Sequence, residues 1–491
     1  MEFKSQSGNT YYYDGEIGIA FPSNLITNKP ISENPSQMKE IPAAEKNTDD
    51  LLFYSRYLEK INRIRPKHEA AKPKKKLTTE EIKPLILRQA LHQIILGVTE
   101  DCNLRCRYCI YSEAYPHSRN RTKKKMDFST AKKALDYYVS LFLEGREYNP
   151  VRRPSVAFYG GEPLMNFELI QKCVLYLETT YPELDFIFMF TTNGTLLTKD
   201  KEDFLMEHGF YVNFSIDGPK EEHDRNRVYP GNKGSFSDMM KNVRRFMTEW
   251  PNRCGALCVF DYKTNPFELD AFFGRSDIPR LTVVNMPSDL EGCTYYDQFS
   301  PGEIEAFQKT MDIAFRDFLE HGTYGAGAHS FFSQLFAISS SQSLYTAVVL
   351  ASREQDIFPY SGACIPGRKI FVDPKGIFHI CERINQYFPI GNVETGLNFQ
   401  DIATLINGYN EHLDSCESCV INKECGKCFV NFAGNGSFKN ASALCKNEKC
   451  RLRDQFSQVF TIGEVRPDQL NILVKDHYTW LSKKSPVSGG D

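Results

Sequence analysis

Six short apolar runs, each followed by a stretch with helical spacing, constrain this chain more than any other feature of its sequence. The runs are Gln93 to Val98, Ser155 to Tyr159, Asp185 to Thr191, Tyr211 to Ile216, Ala256 to Phe260 and Leu281 to Met286, and the stretches between them include Thr130 to Leu143 and Phe167 to Thr179. A strand that must cross over a helix to reach the next strand pairs with it in parallel, so alternation of this kind predicts an α/β fold with a parallel sheet. Six units predict a partial (β/α)6 TIM-like barrel rather than a closed eightfold one. In such barrels chemistry gathers at the C-terminal ends of the strands.

Those ends carry the motifs. The first run leads into Thr99-Glu100-Asp101-Cys102-Asn103-Leu104-Arg105-Cys106-Arg107-Tyr108-Cys109, with cysteines spaced C-x3-C-x2-C. A cubane iron-sulfur cluster takes four cysteine thiolates, one per iron, so three leave one iron for a ligand other than protein. On this stretch alone a zinc knuckle or a redox C-x-x-C pair is the alternative. The later ends carry Tyr159-Gly160-Gly161-Glu162-Pro163, Thr191-Thr192-Asn193-Gly194-Thr195 and Ser215-Ile216-Asp217-Gly218-Pro219, followed by His223-Asp224-Arg225-Asn226-Arg227 and Gly234-Ser235-Phe236.

With Tyr108 ahead of its last cysteine, the three-cysteine loop resembles the signature of the radical S-adenosylmethionine (SAM) enzymes. The succession of motifs resembles their peptide- and protein-modifying branch. The resemblance implies a 4Fe-4S cluster on Cys102, Cys106 and Cys109 whose open iron chelates S-adenosyl-L-methionine, and cleavage of the sulfonium to a 5'-deoxyadenosyl radical. It implies cofactor contacts from Tyr108, from Gly160, Gly161, Glu162 and Pro163 to the methionine ammonium, and from Asn193 near the ribose. Ser215 and Asp217 are expected at adenosine or carboxylate oxygens, and Arg225 or Arg227 at the carboxylate. The glycines are expected to let the main chain approach the ligand.

Fifteen cysteines are present in all. The N-terminus lacks the apolar core of a signal peptide, and no run approaches the roughly 18 apolar residues that span a bilayer. A cytoplasmic protein with no membrane partner is expected, and there cysteines serve metal more than disulfides. Cys173, Cys254 and Cys258 fall in helix or strand patterns, as buried small hydrophobes do. Eight others lie between Cys364 and Cys450.

That group, Cys364, Cys381, Cys416, Cys419, Cys425, Cys428, Cys445 and Cys450, resembles the SPASM domain, a C-terminal extension of radical SAM enzymes carrying two auxiliary clusters. Ile370 to Gly376 reads as a hairpin ahead of Cys381, and Ile390 to Val393 as the next strand. The resemblance implies a first auxiliary cluster on Cys364, Cys381 and Cys428 and a second on Cys416, Cys419, Cys425 and Cys445, hence three 4Fe-4S clusters. The sequence departs from the pattern in having two residues, not three, between Cys425 and Cys428, and in adding Cys450, which is expected as a ligand of the first cluster or as a free thiol. Structural zinc is the other reading of this region. Glu382, next to Cys381, matches the acidic base of sulfatase maturases and is the candidate catalytic residue; a surface glutamate is the plainer reading.

The expected domains are residues 1–85, a small module and linker; 86–300, the barrel; 301–360, a helical bridge; 361–462, the cysteine-rich domain; and 463–491, a helix and tail. In the first, aromatic residues flank Asp14-Gly15 as in a hairpin, Asp49 to Ile64 has helical spacing, and Pro66 to Lys76 reads as a solvated linker. The module resembles the winged-helix element that holds a leader peptide as an added strand; a cap over the barrel is the alternative. Arg119, Arg121 and Lys123 to Lys125 form a basic run read as a solvated loop. A net charge of -3 argues against a nucleic-acid partner. The expected function is thioether formation in a ribosomally synthesised precursor peptide, using an external electron donor such as flavodoxin or ferredoxin. Carbon-carbon crosslinking and formylglycine formation on a sulfatase are the alternatives within the class.

Overall fold

The computed structural model describes residues 1–15, 19–23, 76–322, 330–338, 357–358, 360, 362–413, 416, 418–439, 442–467, 469–470, 473 and 475. The expected helix over Asp49 to Ile64, the linker up to residue 75, the apolar stretch Leu344 to Ala351 and the C-terminal tail lie outside the described residues.

Strands β1 (Glu2–Lys4), β2 (Thr10–Asp14) and β3 (Ile19–Pro22) form a small antiparallel sheet. The barrel follows. Strands β4 (Gln93–Thr99), β5 (Ser155–Gly160), β6 (Ile187–Thr192), β7 (Tyr211–Ser215), β8 (Cys254–Val259) and β9 (Leu281–Asn285) pair in parallel in chain order. All six expected strands are present, with ends moved by one or two residues. The result is an α/β fold with a mostly parallel central sheet, in keeping with a partial TIM barrel.

Alternation along these strands divides the core from the lumen. Ile94, Leu96, Val156, Phe188, Val212 and Phe214 point to the helices and are fully or nearly fully buried. Residues of the other parity, from Gln93 and Ile95 on β4 to Val283 and Asn285 on β9, line one central cavity. Because helices such as Phe128–Gly145 and Phe167–Thr180 cover the outer face, the strands read as apolar runs rather than as clean alternation.

The sheet does not stop at the barrel. Strand β10 (Lys369–Val372) adds in parallel to β4, with Lys369 opposite Gln93, and β11 (Ile377–His379), β12 (Pro389–Asn392) and β13 (Gly396–Leu397) continue it in antiparallel fashion. The hairpin expected before Cys381 is therefore a continuation of the barrel sheet, placing Cys381 and Glu382 beside its lumen.

Helix Thr79–Gln89 is opened by a Thr78–Glu81 capping box and sends Ile82, Ile86 and Leu87 into the barrel core. The boundary expected at 85/86 falls inside it, because Pro84 interrupts the pattern while tertiary packing keeps the helix whole. The hairpin at Asp14 is present, with Asp14 opposite Ile19. Its sheet packs on the long helix Ser442–Val465, with Phe3 against Phe456 and Phe460 and the Tyr11 hydroxyl on Glu464. After residue 300, helix Pro301–His321 ends at Gly322, at φ 77°. Among the described residues no helix is long and apolar enough to cross a membrane.

Candidate functional site

The lumen of the six strands opens into a cavity of about 500 Å³. Cys102, Cys106 and Cys109 line it, together with Tyr108, Gly160, Gly161, Glu162, Asn193, Ser215, Asp217, Arg227 and Glu382. Residues separated by nearly three hundred positions thus face one space.

The cysteine loop is held from both sides by main chain. Arg105 N–H donates to Val228 O at 2.6 Å and Arg107 N–H to Asn226 O at 3.0 Å, while Gly161 N–H donates to Thr99 O and Glu162 N–H to Asp101 O, each at 2.9 Å. Both glycines line the cavity and also make room for the cysteine loop. A Cβ on Gly160, whose φ is 140°, would lie 2.1 Å from the Thr99 carbonyl oxygen, and one on Gly161 equally close to the Asp101 carbonyl oxygen. Their close approach is to the cysteine loop itself.

Glu162 is buried and already engaged. It accepts from Leu164 N–H at 3.1 Å, the Thr192 hydroxyl at 2.7 Å and Asn193 N–H at 2.8 Å, which ties the second strand end to the third. Burial pushes its carboxyl up, opposed by those hydrogen bonds. Asn193 donates to Asn103 Oδ1 at 2.9 Å and accepts from Thr195, fixing the third strand end to the cysteine loop.

The fourth strand end forms a second network. The Tyr108 hydroxyl donates to Asp217 and accepts from Arg227 Nη1 at 2.7 Å. Asp217 also accepts from Val259 N–H, and buried His223 and Ser235 support Arg227 from behind, since His223 Nε2 meets Ser235 Oγ, which donates to Arg227 O. Burial pushes the Asp217 carboxyl up against the pull of Arg227 and Tyr108. The Arg227 charge is opposed by burial but held by Cys106, Tyr108 and Asp217.

Two expected contacts are not brought to the cavity. Arg225 gives Nη1 to both oxygens of Asp261 (2.5 and 2.6 Å) and Nη2 to Glu222 and Thr264, so its guanidinium is spent inside the fold; Arg227 is the arginine that faces the cavity. Pro163 is buried as the first residue of a one-turn 3-10 helix, where its fixed φ suits the start of a turn.

Three thiols lining one cavity are the donor chemistry that an iron-sulfur cluster uses. Leu104 N–H points to Cys102 Sγ at 3.3 Å and Tyr111 N–H to Cys109 Sγ at 3.5 Å, the amide contacts that support thiolate charge. Burial pushes the Cys102 thiol up to about 12 and the Cys106 thiol to about 11, with Arg227 opposing at Cys106. Bound iron replaces those protons outright.

Glu382 is half-buried. Lys369 Nζ lies 3.5 Å from its Oε1, while its Oε2 is buried without a hydrogen-bond partner. Further along, Cys416, Cys419, Cys425 and Cys445 line one small cavity of about 20 Å³ with Tyr360 and Glu448. Cys364, Cys381 and Cys428 form a separate neighbourhood, in which burial raises Cys381 to about 12 with Glu382 and Cys428 adding to it, and burial and then Cys364 raise Cys428. Cys450 does not line the cavity of the four cysteines. It is exposed, because five residues along a helix from Cys445 amounts to a rotation of about 140° away from it.

Sequence reading missed Gln93, Asn213, Asn285 and Lys369 in the main cavity and Glu448 beside the four cysteines. The signal was available for three of them: a polar side chain in the lumen parity of an otherwise apolar strand. Glu448 carries no such sign. It is buried on a charged helix, held by Arg451 and Lys427, and accepts from Gly426 N–H at 3.1 Å.

Residues 96–271 match the family model described as the Radical SAM superfamily. Over those residues the chain carries a radical SAM domain, and the enzymes of that superfamily are oxidoreductase-type. Among named proteins, a cysteine-type anaerobic sulfatase-maturating enzyme of Clostridium novyi is 28% identical over 243 residues, 47% of this chain and 62% of that one. A serine-type counterpart of Bacteroides thetaiotaomicron is 32% identical over 166 residues, 33% of this chain and 38% of that one. The chain spans less than two thirds of the length of the curated relatives it matches. The solved structure of anSMEcpe with bound AdoMet shares the fold at a TM-score of 0.56 and 21% identity, covering 79% of this chain and 98% of that one.

Proposed function

We propose that the chain is a peptide maturase that takes a hydrogen atom from a residue of a ribosomally synthesised precursor peptide and joins that carbon to a cysteine sulfur as a thioether. The observation that carries the reading is the single cavity shared by the three loop cysteines and by Glu382, whose buried Oε2 has no partner. An active-site carboxylate with a free oxygen is placed to take a proton from a substrate bound in the same space.

A 4Fe-4S cluster on Cys102, Cys106 and Cys109, together with S-adenosyl-L-methionine, would supply the carbon radical that takes the hydrogen atom. The chain's own residues do the rest. Tyr108, Asp217 and Arg227 hold a fixed polar wall; Gly160, Gly161, Glu162 and Asn193 lock the cysteine loop to two strand ends; Gln93, Asn213 and Asn285 offer amides to a peptide backbone in the lumen. Glu382, held by Lys369, takes the thiol proton. Two auxiliary 4Fe-4S clusters are proposed, on Cys364, Cys381 and Cys428 and on Cys416, Cys419, Cys425 and Cys445, with flavodoxin or ferredoxin as electron donor. Residues 1–85 are proposed to hold the peptide leader along an edge of the β1–β3 sheet.

The sulfatase relatives and Glu382 favour a second reading, oxidation of a cysteine or serine to formylglycine; anSMEcpe has been solved with AdoMet and a Cp18Cys peptide. The product separates them. A thioether loses two hydrogen atoms, keeps its sulfur and blocks the thiol to alkylation, whereas formylglycine made from cysteine loses the sulfur and gains a carbonyl. Mass spectrometry of a cysteine-containing precursor peptide after anaerobic turnover decides. Formation of 5'-deoxyadenosine with no change in any peptide would overturn both.

A further inference from the structure

The basic run after the cysteine loop is used by nothing described so far. Its placement is not that of a loose loop. Lys125 pairs with Thr99 in an antiparallel bridge, and the Lys124 carbonyl accepts from Glu100 N–H at 3.0 Å and from the Thr99 hydroxyl at 3.1 Å. The main chain of residues 124–125 is therefore laid along residues 99–100, just ahead of Cys102.

The side chains of this segment divide. Arg119 is buried, stacked 4.3 Å over the Phe371 ring and donating to Ile384 O at 3.2 Å, which anchors the segment to β10. Lys123, Lys124 and Lys125 are exposed, and Lys125 Nζ donates to Met165 O. Glu100 and Asp101 hydrogen-bond to neutral donors of their own segment, Glu100 accepting from the Thr122 hydroxyl and Asp101 from Cys102 N–H. Exposed Asp127, two residues after Lys125, is the nearest other acid in sequence and accepts from Thr130 N–H at 2.7 Å as the cap of helix Phe128–Gly145. None of residues 119–125 lines the substrate cavity.

We infer that the exposed lysines at 123–125 are the docking face for an acidic one-electron carrier protein, which delivers its electron to the cluster site from outside the substrate cavity. This rests on the radical SAM reading. A carrier must approach the cluster closely without entering the cavity the peptide occupies, and this segment joins three exposed lysines to the main chain just ahead of Cys102, adding to exposed Arg107 within the cysteine loop. Positive charge at such a site raises the encounter rate with an acidic partner and makes it fall with salt. In the step itself one electron leaves the reduced carrier, which is oxidised by one, and the cluster is reduced by one; no bond changes and no proton moves.

The test uses the full-length, iron-reconstituted enzyme carrying Lys123→Glu and Lys124→Glu, with Lys123→Ala and Lys124→Ala as a milder pair. 5'-Deoxyadenosine formation is measured with reduced flavodoxin and, separately, with dithionite. The expected result is a rise of about tenfold in the flavodoxin concentration giving half-maximal rate, with a flattened salt dependence, while the dithionite rate stays at the parent value. Unchanged flavodoxin saturation in both pairs overturns the inference, as does an equal loss with both reductants in the Ala pair, which would make the lysines structural. A fall in peptide modification under dithionite, with flavodoxin saturation unchanged, overturns it in favour of a leader-peptide contact. If the parent makes no 5'-deoxyadenosine with dithionite, it is the radical SAM reading that fails.

Discussion

The barrel and the C-terminal region hold their cysteines by different means. In the barrel three thiols sit within eight residues of one loop, and the loop is clamped by main-chain bonds to neighbouring strand ends. In the C-terminal region Cys416 and Cys445 lie far apart in sequence and meet because helix Ser442–Val465 is packed against the preceding turns. That helix is itself held from its other side by the N-terminal sheet, through Phe3 and Tyr13 on Phe456. Tyr13 also reaches Glu424, the residue before Cys425. A loop-borne site should survive distant damage that an assembled one does not.

The largest effect should come from the loop itself. Replacing Cys102, Cys106 and Cys109 together by Ala is expected to abolish 5'-deoxyadenosine formation under anaerobic reducing conditions, with the auxiliary iron retained. Undiminished product would remove the barrel site from the comparison altogether.

Next is Glu382, which sits where the two regions meet. Glu382→Gln should lower peptide modification by about a hundredfold or more, the usual share of a general base, while uncoupled S-adenosylmethionine cleavage continues. If both fall together, the carboxylate supports the cysteine loop rather than the substrate.

The N-terminal sheet offers the sharpest contrast. Phe3 is 3% exposed, and Phe3→Ala should cost about 3 kcal/mol of local stability. The expected readout is loss of C-terminal iron at a temperature where barrel iron and 5'-deoxyadenosine formation persist. Equal loss from both regions would mean that they unfold as one unit. Deleting residues 1–23 adds a second question, since leader binding predicts a tenfold fall in peptide modification, roughly 1.4 kcal/mol, even where all iron is retained.

The same contrast explains what could be read from the sequence. The six strands and the cysteine loop were legible because period, turn residues and spacing are local. The role of Gly160 and Gly161 was not, since their need for space comes from Thr99 and Asp101, sixty residues earlier. Arg225 and Arg227 look equivalent in His223-Asp224-Arg225-Asn226-Arg227; only Asp261, on the next strand connection, decides which one is consumed. The extension of the barrel sheet by β10 was likewise hidden, because parallel pairing between strands over two hundred residues apart leaves no mark in either. Whether Cys450 is a ligand of the first cluster or a free thiol was left open by spacing, since counting residues across a turn-rich region says nothing of which side of a helix a thiol occupies.

The smallest effect expected is that of Cys450→Ala, and it bears most on the chemistry. Cys445 faces the cavity of the second group, and a thiol about 140° further round the same helix cannot reach that cavity without unwinding the helix. Because Cys450 is exposed, its replacement is expected to leave iron content, on the order of twelve per chain for three cubane clusters, and the reduced EPR spectrum unchanged. Loss of iron or of one auxiliary signal would show that the helix rearranges when its cluster is loaded. If nothing changes, Cys364, Cys381 and Cys428 are three cysteines for a cluster that takes one ligand per iron. The remaining iron would then be open to a substrate thiolate beside Glu382, the arrangement that thioether formation needs and formylglycine formation from serine does not.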